Sequence, residues 1–83
     1  MNEDYAIIGK VYDRFILMCI GTQDELELRL DSSRMLISEE NNGVGDVRLV
    51  RLADINIENL LANKEEEIGR MEDLFLNDDT NMY

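Results

Sequence analysis

Proton transfer, nucleophilic attack and metal binding need particular side chains, and this 83-residue chain supplies few of them. It has no histidine, which removes the usual general base, the usual zinc ligand and every Ser-His or Cys-His nucleophile pair. Cys19 is the sole cysteine, so neither an intrachain disulfide nor a thiolate cluster can form. Its place on an apolar stripe with Phe15 and Ile16 makes it a buried thiol rather than a nucleophile. Ser32 and Ser33 have no candidate base and fall in Asp31-Ser32-Ser33, a run that turn chemistry explains. Carboxylates remain. Asp24 with Glu25, or Glu66 with Asp73, could do acid–base work, but 19 acidic residues in one short chain make chance pairs common. No catalytic residue, metal ligand or cofactor site is assigned, and the chain reads as a non-enzyme.

Two loops imitate ligand sites without completing them. Asn42-Gly43-Val44-Gly45 has the flexibility of a phosphate-cradling loop but lacks the third glycine, the lysine and the strand-to-helix setting. Asn77-Asp78-Asp79-Thr80-Asn81 offers oxygen ligands without the central glycine or closing bidentate glutamate of a calcium loop.

Charge is the strongest feature. Nineteen acidic residues against eight basic ones give a net charge of −11, in a chain that is 45% hydrophobic. That apolar fraction supports a folded core, so the acidity belongs to a globular surface. Such a surface repels nucleic acid phosphates and anionic lipid, and its natural complement is a basic protein, such as a nucleic-acid-binding enzyme. With one cysteine, no basic leader at Met1-Asn2-Glu3-Asp4 and no long apolar run, a cytoplasmic setting without membrane contact is expected.

The elements that must position these charges read as α-β-β-β-α, an α+β domain over residues 1–76 followed by a disordered acidic tail at 77–83. Residues 5–19 place Tyr5, Ile8, Tyr12, Phe15, Ile16 and Cys19 on one helical face; a hairpin turning near Gly9 and Lys10 is the alternative, favoured by β-prone residues. Leu26, Leu28 and Leu30 alternate with Glu25, Glu27 and Arg29, predicting a strand at 25–30. A second strand at 34–39 buries Met35 and Ile37, a loop covers 41–46, and a third strand runs over 47–52. Residues 54–76 read as one long amphipathic helix capped by Asp54, with Ile57, Leu60, Leu61, Ile68, Met71 and Phe75 on its core face. With both helices on one face of a three-stranded antiparallel sheet, the other face is left to solvent and carries Glu25, Glu27, Arg29, Arg34, Leu36, Ser38, Arg48 and Val50.

Glu58, Glu65 and Glu72 recur every seven residues on the long helix, flanked by Asp54, Glu66 and Asp73. With Glu25 and Glu27 on the rim of the first strand, these carboxylates form the expected partner-binding surface, presenting negative charge where a basic protein expects phosphates. In size, acidity and order of elements the chain resembles small acidic inhibitors encoded by phages, among them nucleic-acid mimics and some anti-CRISPR proteins. That resemblance implies occlusion of a nucleic-acid-binding groove. The chain also resembles type III secretion chaperones, which are small, acidic and open with a helix. The α-β-β-β-α order occurs in double-stranded RNA-binding domains too, but those grip phosphate with lysines where this chain has Asp54-Ile55-Asn56-Ile57-Glu58. The second functional expectation is a structural or chaperone-like subunit, with Leu36, Val50 and the free edge of the first strand as a homodimer or packing contact.

Overall fold

Four consecutive residues, Ala6, Ile7, Ile8 and Gly9, are buried, a pattern a strand adopts when both faces of its sheet are covered. They belong to β1 (Asp4–Val11), the middle strand of a three-stranded antiparallel sheet ordered β2-β1-β3, with β2 at Arg14–Thr22 and β3 at Val47–Arg51. The computed structural model describes residues 4–77. Its helices are α1 (Gln23–Glu40), α2 (Ile57–Leu61) and α3 (Glu65–Asn77), with a 3-10 turn at Leu52–Asp54. The class is α+β with a three-stranded antiparallel sheet and a closing helix, as expected; the element order is β-β-α-β-α-α rather than α-β-β-β-α. Of the expected tail, Asn77 is the last residue of α3 and the remainder lies outside the described residues.

Residues 5–19 are therefore not a helix. They form the hairpin of β1 and β2, which turns at Tyr12 and Asp13, three residues beyond the Gly9-Lys10 alternative. Tyr12 takes a φ of 57°, uncommon for a residue with a Cβ. Its N–H donates to Oδ1 of Asn41 at 2.9 Å, while the Asn41 amide donates to the carbonyls of Lys10 and Val44 at 3.2 Å each. One side chain thus ties the hairpin turn to the 41–46 loop. Between Ile7 and Ile8 the register with β2 slips by one residue, leaving Met18 as a bulge.

The expected strands at 25–30 and 34–39 are instead the two halves of α1. Thr22 caps it: its hydroxyl accepts from the Glu25 N–H at 3.3 Å, and the Glu25 carboxylate accepts from the Thr22 N–H at 3.0 Å, completing a capping box. Ser32 and Ser33 lie mid-helix rather than in a turn, and Ser33 is buried. The helix ends in a Schellman motif, with Asn42 at φ 56° and the Gly43 N–H donating to the Ser38 carbonyl at 2.8 Å.

Helices cover both faces of the sheet, so the solvent-facing side expected from sequence does not exist. On one face Ile7 and Val47 pack with Leu26 and Ile37 of α1. On the other, Ala6, Ile8, Phe15 and Val50 pack with Leu60 of α2 and Met71 and Phe75 of α3. Phe15 and Phe75 meet edge to face, ring centroids 5.2 Å apart, and the Arg48 guanidinium lies over the Phe75 ring at 4.9 Å. Each fully buried isoleucine contributes about 1.5–3 kcal/mol of transfer free energy, and Ile7 and Ile8 deliver theirs to opposite layers.

The long helix expected at 54–76 is broken. Asn63 adopts a φ of 57°, its N–H donates to the Leu60 carbonyl at 3.1 Å, and the Lys64 N–H reaches the Asn59 carbonyl at 3.0 Å. This second Schellman motif stops α2 after five residues and lets α3 set off anew. The cap of α2 is Asn56, whose Oδ1 accepts from the Asn59 N–H at 3.0 Å. Asp54 closes the 3-10 turn instead and pairs with Arg51 at 3.1 Å. Of the expected core stripe, Leu60, Met71 and Phe75 are buried and Ile68 packs against them, whereas Leu61 is exposed.

Candidate functional site

The acidic residues singled out from sequence do not converge. Glu25 and Glu27 stand on α1, on one side of the sheet; Glu58 on α2 and Glu65, Glu66, Glu72 and Asp73 on α3 stand on the other. The seven-residue stripe is cut between Glu58 and Glu65 by the turn at residues 62–64, leaving Glu65 and Glu72 as its only members on a common helix. Glu65 and Glu66 occupy the first turn of α3, where carboxylates complement the positive end of the helix dipole. Glu25 completes the α1 cap, and Glu27 accepts from the Gln23 side-chain amide at 3.2 Å. These carboxylates therefore have local structural roles as well as surface charge.

Val50 is not part of a contact patch: it is 7% exposed and sits in the core between the sheet and α3. Leu36 is 55% exposed, and the structure supplies neighbours that the sequence reading had placed in the core. Leu28 is 86% exposed and Met35 65% exposed, because a helix over residues 23–40 turns both away from the layer formed by Leu26, Ser33 and Ile37. At 100° per residue, Leu28 and Met35 lie two turns apart on the face opposite the core, with Leu36 beside them. Asp24, Asp31 and Glu39, all exposed, share that face. Beside Met35 a depression of about 500 Å³ opens between α1 and the loop, lined by Asp31, Arg34, Met35, Ser38, Gly43 and Gly45. The result is an exposed apolar strip with a mainly acidic rim, in which Asp31 is paired with Arg34 at 3.2 Å.

Sequence reasoning also passed over Glu67, whose side chain is buried at 1% exposure against the α2 entry loop. The pattern that could have found the α1 face is Thr22-Gln23-Asp24-Glu25, a capping box at the head of a stretch lacking glycine and proline as far as residue 42.

Among the described residues no cluster of three or more His, Cys, Asp or Glu could hold a metal ion, and no helix is long and apolar enough to cross a membrane. Cys19 packs at the margin of the layer under α1. Compared with protein-family models, curated proteins and solved structures, the chain matches none.

Proposed function

We propose that this protein is a non-enzymatic binding module that docks on a basic surface of a partner protein and occludes it, and that the outer face of α1 is the docking surface. The observation that carries this reading is the exposure of Leu28, Met35 and Leu36 amid Asp24, Asp31 and Glu39 on one helix face. Apolar anchors with a mainly acidic rim suit a partner that contributes basic side chains to the rim and apolar groups to the centre. The carboxylates steer encounter, and the anchors set residence time. A groove that ordinarily holds nucleic acid phosphates has the matching charge. The outer face of α3, with Glu65, Glu66, Glu72 and Asp73, adds to the long-range field but offers only Leu76 as an exposed large apolar residue.

The test compares immobilised variants in parallel. Wild type and a Glu65→Lys/Glu72→Lys variant are expected to retain the same proteins from a lysate of the source organism, with elution by salt. Asp31→Lys/Glu39→Lys and Leu28→Ser/Met35→Ser variants, shown to be folded by circular dichroism, are expected to lose them. Retention that survives both α1 changes would remove α1 as the docking surface, and retention indifferent to salt would remove the electrostatic reading.

A further inference from the structure

Of the asparagines in this chain only Asn42 is followed by glycine. That pair has a chemistry of its own. The Gly43 backbone nitrogen, on giving up its proton, can attack Cγ of Asn42, because glycine has no Cβ to obstruct the approach. A C–N bond forms, the Cγ–Nδ2 bond breaks, and the side-chain nitrogen leaves as ammonia, taking up the proton. Water then opens the cyclic imide at either carbonyl, giving aspartate or isoaspartate, in which the backbone runs through the side-chain carbonyl.

The fold restrains the attacking nitrogen without covering it. Asn42 and Gly43 are both exposed, and among the described residues no atom outside the adjoining ones lies within 4 Å of where a Gly43 Cβ would stand. Water reaches the pair freely. The Gly43 N–H, however, donates to the Ser38 carbonyl at 2.8 Å as the closing bond of α1, with Asn42 held at a φ of 56°. Attack requires that bond to open. The Asn41 side chain clamps the segment around it, accepting from the Tyr12 N–H and donating to the carbonyls of Lys10 and Val44.

We infer that Asn42 is a site of spontaneous deamidation gated by the C-terminal cap of α1: the closed cap keeps the amide intact, and opening of the cap commits it. The change runs one way. An isoaspartyl link adds a methylene to the backbone between residues 42 and 43, so the Gly43 N–H loses its place over the Ser38 carbonyl. Either product also sets a new carboxylate at the negative end of the α1 dipole. Conversion therefore favours the open cap. The reaction needs only water and is independent of any docking partner.

Incubation of the full chain at mildly alkaline pH, followed by peptide mapping in the mass spectrometer and enzymatic methyl labelling of isoaspartate, tests it. Asn42 is expected to be the first asparagine converted, at least about fivefold more slowly in the folded chain than in urea, the factor that one ordinary hydrogen bond supplies. Asn41→Ala removes the clamp and should convert a few-fold faster than wild type. Asn42→Gly, which suits the left-handed backbone there, should stay folded and show no early mass gain. Amide exchange gives a reading that needs no variant: the Gly43 N–H should be protected, and conditions that speed its exchange should speed conversion in step. Earlier conversion at another asparagine overturns the site. Equal rates in folded and unfolded chains, or a fast-exchanging Gly43 N–H, overturn the gate. An Asn41→Ala chain that is folded by circular dichroism yet converts at the wild-type rate overturns the clamp.

Discussion

Oε2 of Glu67 accepts a hydrogen bond from the backbone N–H of Asn56 at 3.0 Å. Because Asn56 in turn caps α2, a buried carboxylate on α3 satisfies the residue that starts the preceding helix, and the two short helices are locked across their turn. Arg70 approaches the other carboxylate oxygen at 3.8 Å. Glu67→Ala strands the Asn56 N–H and is expected to cost about 1–3 kcal/mol in urea unfolding. Glu67→Gln keeps an acceptor in place and should cost less. Equal losses in the two variants would contradict this role.

The α1 cap makes stability depend on pH. Hydrogen bonds from the Thr22 backbone N–H, then from the Thr22 hydroxyl, hold the Glu25 carboxyl below its ordinary pKa, with the Arg29 charge adding to them. A carboxyl with a depressed folded pKa stabilises the fold fully above its unfolded value, about 4.3, and loses that contribution as pH falls through the folded value. The urea midpoint of Glu25→Gln should therefore lie below wild type at pH 7 and converge on it in acid. A gap of constant size would exclude the linkage.

Removal of the cap hydroxyl gives a simpler comparison. Thr22→Ala should cost about 1 kcal/mol, whereas Thr22→Ser should be near neutral, since serine also caps well.

At Gly9 the sheet lies close against Ile37 of α1. A Cβ built there would collide with Cδ1 of Ile37, lie 2.7 Å from Ile37 Cγ1 and 3.1 Å from the Met18 sulfur. Gly9→Ala is expected to cost about 1–3 kcal/mol by overpacking. Ile37→Val removes the colliding methyl, so the double variant should lose less than the sum of the single changes. Simple additivity would place the strain elsewhere.

Two apolar residues of opposite fate test the layering. Val50→Ser removes core contacts and is expected to cost about 2 kcal/mol or more. Leu28→Ser changes an exposed position and should stay within about 1 kcal/mol of wild type, mostly through helix propensity. Both are read from denaturant midpoints.

Legibility in the sequence differed sharply along the chain. The third strand follows from its β-branched and apolar residues after a glycine-bearing loop, and the buried trio Leu60, Met71 and Phe75 follows from apolar spacing in a helical segment whose outer face is wet. The first forty residues do not. Ala6, Ile7 and Ile8 are apolar on both faces, so β1 has no period of two to detect, and the spacing of Tyr5, Ile8, Tyr12 and Phe15 imitates a helix by coincidence. Leu26, Leu28 and Leu30 imitate a strand because one of them, Leu28, faces water on a helix. Residue preference was the better guide there: Val, Ile, Tyr and Phe crowd the hairpin, while Leu, Glu, Gln and Arg fill α1.

Composition determined that the chain carries a strongly negative surface over an apolar core, and that it has no histidine and a single cysteine. Local pattern determined the strand after the 41–46 loop and a C-terminal helical segment. Only the tertiary structure decided which residues belong to which element, that helices cover both faces of the sheet, and that the acidic residues divide between two opposite sides. It also decided that Leu28 and Met35 are surface and Val50 is core. The physical reason is that a side chain's exposure depends on which face another layer covers, and that is settled by contacts between residues far apart in the chain.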